Sequence, residues 1–491
     1  MRKNDAVTHA SFFVPVYHML IEKYGTSDDM DWSCILQVKQ RDPFLTGEGV
    51  LVAVIDSGID FTLSEFRNAD GTTRIEAIWD QALNRVYSQK DINEALRQEN
   101  PKEALPHMDI SGHGTAVASV AAGNTLGVAN RSGLVIVKLG VPVSQSFPKT
   151  TQLMEAIDYC VRFGAEKNKP LVINLSFGNT YGDHLGESLL ERFMDNAAEI
   201  GRTSIVVGSG NEGNSRGHTK ADAREKPVVE LAVGPFETGL NLQIWKEFQN
   251  SFEISIRSPE GILVPLNQQV VRQRVGNTHL YCYIGEPKPY SMVQEVFIDF
   301  IPEDTYITSG IWTIQMQASK DYAAGYSMYL PGEAARNSQT GFYQPSPEMT
   351  FTIPSTAQKV ITVGAYDTIR NGPADFSGRG YVVLSEGRVI EAKPDIVAPG
   401  VDIRTMSPEG IERLESGTSF ATPFVAGSVA LLMEYGIVRK QDVFLYGEKL
   451  KAVLTKGARR LPVQETVPDR ICGWGGLCLS DSLKIVQTIY A

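Results

Sequence analysis

Ser419 stands in the run Ser416-Gly-Thr-Ser-Phe-Ala-Thr-Pro-Phe-Val-Ala-Gly427, where small residues lead into an apolar, Ala-rich stretch. The stretch reads as a buried helix to about Glu434. A serine at the start of that helix has its own N–H free, in a dipole field that favours developing negative charge. Pro423 suits the helix if it falls in the first turn. Such a serine is also the ordinary cap of a core helix, so other residues must decide. A serine hydroxyl is a weak nucleophile and needs a base, and the base needs a carboxylate to hold its tautomer. His113, within Ser111-Gly-His-Gly-Thr115, opens a second Ala/Val helix, and Asp56 ends the apolar run Gly49–Asp56. Asn211, within Gly208-Ser-Gly-Asn-Glu-Gly213, could donate its amide to an oxyanion together with the Ser419 N–H.

The elements that must position these residues alternate. Gly49–Asp56 is a continuous β-branched strand of the fully buried, parallel kind, and ligands collect at the carboxyl ends of such strands. Apolar strands are predicted at Leu134–Leu139, Leu171–Leu175 and Ser204–Val207, with helices over Thr150–Phe163 and Leu189–Ile200 between them. The pattern predicts an α/β fold with a doubly wound, mostly parallel sheet in three layers. Near residue 215 the texture changes. Between about 228 and 350, short alternating runs such as Phe252, Ile254, Ile256 and Trp312, Ile314, Met316 predict an inserted antiparallel β-sandwich. The α/β texture resumes at Val360–Gly364 and Ile396–Gly400. The predicted organisation is an N-terminal arm (1–44), a discontinuous catalytic unit (45–214 and 351–491) and an insert (215–350). Trp245 and Trp312 are expected in the insert's core, which favours an insert that stiffens the catalytic unit over one that docks a partner and sets substrate choice.

The 491 residues carry a net charge of −11, which argues against nucleic-acid and anionic-membrane partners. No apolar run of the length of a membrane span is expected. Met1-Arg-Lys begins basic, but Ala10–Leu20 is short, holds Pro15 and His18, and does not read as a secretory signal. The five cysteines are sparse and odd in number, so reduced, buried thiols are expected rather than a disulfide framework.

Ile55-Asp-Ser-Gly-Ile-Asp60, Gly112-His-Gly-Thr115, Gly210-Asn-Glu-Gly213 and Gly417-Thr-Ser-Phe-Ala-Thr-Pro423 resemble, in order, the four signature blocks of the subtilisin-like serine peptidases (family S8). The resemblance implies Asp56 as orienting carboxylate, His113 as general base then acid, Ser419 as nucleophile and Asn211 as oxyanion-hole donor. Asn174-Leu-Ser-Phe-Gly178 resembles the strand lining the substrate cleft. It implies substrate-binding roles for Ser176, Phe177, Gly178 and Asn179, with peptide adding a strand to that edge. Arg74-Ile-Glu-Ala-Ile-Trp-Asp80, Leu240-Asn-Leu-Gln-Ile-Trp245 and the insert itself are similar to the Csp-type germination proteases of spore-forming clostridia, in which the insert is jelly-roll-like. That likeness implies limited proteolysis of a spore-cortex lytic proenzyme, and a spore-associated location. Some Csp-type members have lost triad residues, so a binding or sensing pseudoprotease is the alternative.

The departures are specific. Ala116 stands where relatives often carry a second histidine. Asn179 replaces a common glycine and would narrow the pocket entrance. The short segment between His113 and Leu134 lacks the strong calcium-site loop of secreted relatives. No cofactor is therefore expected and a Ca²⁺ requirement is not favoured; Asp60, Asp80 and Asp109 are expected on solvated surface. Only 55 residues precede Asp56, so the resemblance implies a propeptide already removed or folding assisted otherwise.

Overall fold

The computed structural model describes residues 26–140, 148–250, 252–286, 289, 291–318 and 324–489. Ala10–Leu20 lies outside them. Strand Leu51–Asp56 is the middle of a nine-stranded sheet. On one side lie Gly133–Lys138, Ile75–Asp80 and Arg85–Ser88; on the other lie Leu171–Leu175, Thr203–Gly208, Ile361–Asp367 and Gly372–Pro373. Ile396–Pro399 also pairs with Ile361–Asp367. Only the pairings of Arg85–Ser88 and Gly372–Pro373 are antiparallel. The chain first fills one side of Leu51–Asp56, with Gly133–Lys138 inserted last beside it, and then builds outward on the other, so Asp56 ends the strand at which strand order reverses.

Alternation along that strand divides the molecule into three layers. Val50, Val52 and Val54 enter one core with helices His113–Ala122 and Thr418–Met433. Leu51, Ala53 and Ile55 enter a second core with helices Thr150–Glu166 and Leu189–Ala197. Both faces are covered, which is why the sequence there is uniformly apolar.

Residues 218–342 form two antiparallel sheets. The order in one is Leu263–Pro265, Phe252–Arg257, Gly310–Ala318, Val228–Val233, Gly341–Phe342; in the other it is Val270–Val275, Thr278–Ile284, Val293–Pro302, Leu240–Glu247, Gly325–Tyr329, His218–Asp222. They enclose a core of their own that includes Ile254, Ile256, Trp312, Ile314 and Met316. Trp245 does not join that core. Along Leu240–Glu247, Leu240, Leu242 and Ile244 face it, while Gln243 and Trp245 lie on the opposite face, buried and joined by a 3.3 Å hydrogen bond.

Several expectations are corrected here. Pro423 is not in the first turn: the helix begins at Thr418, so Pro423 is its sixth residue. The apolar stretch Thr418–Val438 is long and apolar enough to cross a membrane, but 89% of that window is buried, as in a core helix. Cys34 and Cys478 form a disulfide across 444 positions, because helices Ile35–Arg41 and Leu479–Ile489 meet; Cys160, Cys282 and Cys472 are free and buried. Asp60, Asp80 and Asp109 are buried rather than solvated. Each is committed to protein partners: Asp60 to Lys102 and Thr62, Asp80 to His107 and Lys138, Asp109 to Ser57, Gly112 and Thr115.

Candidate active site

The strand delivers Asp56 to the sheet edge, and the next turn meets the helix that carries His113. A Cβ on Gly114 would come within 2.2 Å of the Gly58 carbonyl, so only glycine lets the first helical turn settle on this loop. The approach sets His113 Nδ1 at 2.8 Å from Asp56 Oδ1, which also accepts the Ser57 N–H at 2.7 Å. Burial disfavours the imidazolium most strongly, but the charge and hydrogen bond of Asp56, with Asp109 and Glu415, outweigh it and raise the His113 pKa above its usual value.

Asp109 fixes the same region from behind. Its carboxylate accepts from Ser57 Oγ (2.8 Å), the Gly112 N–H (2.9 Å), the Thr115 N–H (2.8 Å) and Thr115 Oγ1 (2.7 Å). It thus joins the strand end to the helix start. A second Asp–His pair lies beneath. His107 Nδ1 is 2.8 Å from Asp80, and His107 Nε2 accepts the Ile59 N–H at 3.2 Å, so the proton is on Nδ1. Burial works against the Asp80 charge, yet the His107 hydrogen bond, the Leu83 N–H and Lys138 hold its carboxyl below the usual range.

Ser419 is the second residue of its helix, where a backbone N–H has no intrahelical acceptor. Pro423 cannot donate to the Ser419 carbonyl four residues before it. The Ser176 hydroxyl does so instead, at 2.9 Å. In return Ser419 Oγ donates to the Ser176 carbonyl at 3.3 Å. Among the described residues this is the hydroxyl's partner, and no hydrogen bond joins it to His113. Asn211 is oriented by its oxygen: Oδ1 accepts the Thr418 N–H at 3.0 Å and Thr418 Oγ1 at 3.1 Å. A backbone N–H can only donate, so the oxygen must face it and the amide nitrogen is directed away.

His113, Asn211 and Ser419 line one cleft of about 580 Å³ together with Ser176, Phe177 and Gly178. Asn179 lies outside it. Its backbone pairs both ways with Ile353 (3.0 and 2.6 Å), so at Asn179 the edge expected to receive peptide is already filled by the chain itself. Residues the sequence reading missed complete the cleft: Glu212, Glu333, Ala334 and Thr352. Glu212 could have been suspected from its place beside Asn211; Glu333 carries no local signal. Among the described residues, no cluster of three or more His, Cys, Asp or Glu side chains is arranged to hold a metal ion.

The family model described as "Subtilase family" matches residues 47–331 and 333–475. The chain belongs to the subtilase family. This subtilase is similar in structure to the CspB protease of Clostridium perfringens, with a TM-score of 0.87 and 37% identity over 94% of this chain and 98% of that one. The PII-type proteinase of Lactococcus lactis subsp. cremoris is 24% identical over 473 residues, 82% of this chain and 23% of that protein. The serine protease AprX of Bacillus subtilis (strain 168) is 35% identical over 128 residues, 22% of this chain and 26% of its own length. The match thus covers less than half of the length of each of these curated relatives.

Proposed function

We propose that this subtilase is a serine endopeptidase that cleaves protein substrates through an acyl-enzyme. The observation that carries the reading is the Asp56–His113 hydrogen bond opening onto the cleft that also holds Ser419 and Asn211. On substrate binding, Ser419 Oγ turns from the Ser176 carbonyl to His113 Nε2 and transfers its proton there. The oxygen bonds to the scissile carbonyl carbon, and the negative charge passes to the carbonyl oxygen. The Ser419 N–H and the Asn211 amide are the donors placed for that charge. Asp56 holds the Nδ1–H tautomer and stabilises the imidazolium. The C–N bond breaks, His113 returns the proton to the leaving amine, and water hydrolyses the ester by the same route.

The substrate is inferred to be a cortex-lytic proenzyme activated by limited proteolysis during spore germination. The Csp-type sequence likeness and the similarity to the CspB protease support this reading. The activity is tested with a fluorophosphonate probe on the full chain. Labelling of the wild-type protein and its loss in Ser419→Ala is expected. Absence of labelling in folded wild-type protein would instead favour a silent, substrate-sensing subtilase. Cleavage-site profiling against spore proteins, with Ser419→Ala as control, tests the substrate.

A further inference from the structure

The nucleophile and the oxyanion donor fix where a scissile carbonyl must lie. The side chain just before it must enter the recess between Ser176–Gly178 and Gly208–Asn211. Neither wall has room for a side chain of its own. A Cβ on Gly178 would lie 2.4 Å from Thr352 Oγ1, and one on Gly210 would lie 2.5 Å from Thr352 Cγ2. The recess is therefore a slot between backbones, with Thr352 against both.

One boundary of the cleft comes from the insert. The short helical turn Glu333–Ala335 brings Glu333 and Ala334 to the lining. Glu212, the neighbour of Asn211, holds this turn: its carboxylate oxygens accept the Glu333 N–H at 3.2 and 3.1 Å. Arg336 follows closely and feels the Glu333 charge, but among the described residues it makes no hydrogen bond to that carboxylate. Its guanidinium donates to the carbonyls of Pro331, Ser215 and Thr340. Among the described residues, no donor or cation bonds the Glu333 carboxylate. The lining thus carries two carboxylates, of which Glu212 is already engaged, and His113 is its one basic side chain.

We infer that the insert's Glu333 turn forms part of the primary specificity pocket and selects a long P1 side chain ending in N–H donors. The stem of arginine, lysine or glutamine fits a slot of backbone walls, and its terminal donors meet a carboxylate that accepts no hydrogen bond among the described residues. An apolar side chain of equal length leaves that carboxylate solvated but unused. This inference rests on the endopeptidase reading, and the test separates the two.

Matched peptide substrates differing only in P1 (Arg, Lys, Gln, Met) are assayed with full-length wild-type, Glu333→Ala and Ser419→Ala proteins, all first checked with the fluorophosphonate probe. The Arg/Met ratio of kcat/KM is expected to exceed unity by roughly fivefold, the scale of one exposed ion pair, and to fall toward unity in Glu333→Ala. Gln above Met would show that donation suffices; Arg above Gln would show that charge adds to it. Labelled wild-type enzyme that prefers Met, or whose Arg/Met ratio is unchanged in Glu333→Ala, overturns the pocket assignment alone. Unlabelled wild-type enzyme overturns the endopeptidase reading and this inference with it.

Discussion

Asn211 contributes to the cleft through the half of its amide that makes no hydrogen bond among the described residues. Its oxygen is held by the Thr418 backbone and hydroxyl, so the nitrogen's direction follows from the fold. Asn211→Ala is expected to lower kcat by about 10²–10³ with little change in KM, because the lost donor acts mainly on the transition state. Steady-state kinetics decide, and a change confined to KM would contradict the role. His113 makes a second expectation. Its base form must be neutral, and neighbouring anions favour its charged form, so more alkaline solution is needed to deprotonate it. The acid limb of kcat/KM should therefore fall above the ordinary imidazole value of 6.5. Asp109→Asn removes one of those anions and should move the limb to lower pH; a limb that stays in place or rises counts against it. At this scale the sequence was informative. Asp56, His113, Asn211 and Ser419 each sit within two residues of a glycine, at a strand end, a helix start or a glycine-rich turn, and the structure brings them to one place. Asp109 was misplaced on the surface, because a lone carboxylate four residues before His113 gives no sign that four donors converge on it.

Elements add constraints that no single motif carries. Pro423 shows this well: within the helix it removes a bond to the Ser419 carbonyl, and Ser176 from the neighbouring strand end restores it. Reading Pro423 as a first-turn residue missed the compensation, since the partner lies 243 positions away. The junction with the insert holds a similar device. His184, in the loop after Leu171–Leu175, stacks on Tyr329 at 3.8 Å, and His218 stacks there at 4.4 Å. Burial chiefly lowers their pKa values from 6.5, to about 4 for His184 and about 3 for His218. The folded state therefore holds both rings neutral where the unfolded chain protonates them. More protons bind to the unfolded state in that window, so stability is full above about 6.5 and declines as pH falls toward 4. His218→Phe keeps the stacked shape without the titration. Its melting temperature should fall less than that of the wild type between pH 7 and pH 4.5, by calorimetry. Equal losses in the two proteins would exclude His218 as an acid-sensitive group of this junction.

The whole molecule is assembled from distant parts of the chain around a sheet that the insert interrupts. Strand Thr203–Gly208 pairs with Ile361–Asp367 from beyond the insert, and Asn211 and Ser419 face each other only once that pairing exists. The alternating strand and helix texture made this legible, because both halves have the buried apolar strands of one parallel sheet. The closure of the chain ends was not legible. Helices Thr26–Trp32 and Ile35–Arg41 read as a surface arm, yet Met30, Ile35 and Val38 lie in the main core. Trp32 stacks on Tyr366 at 4.8 Å, Arg459 covers Trp32, and Cys34 is bonded to Cys478. Short helices offer too few residues for periodicity to declare a buried face. If this segment is core, Ile35→Ala should destabilise the fold by about 2–5 kcal/mol, as expected for a fully buried aliphatic side chain. If it is only an arm, the change should stay within about 0.5 kcal/mol. Urea denaturation of oxidised protein separates the two, because Ile35→Ala leaves Cys34 and its bond in place. The same comparison after reduction tells packing from cross-linking: a loss that persists without the disulfide belongs to the core contact itself.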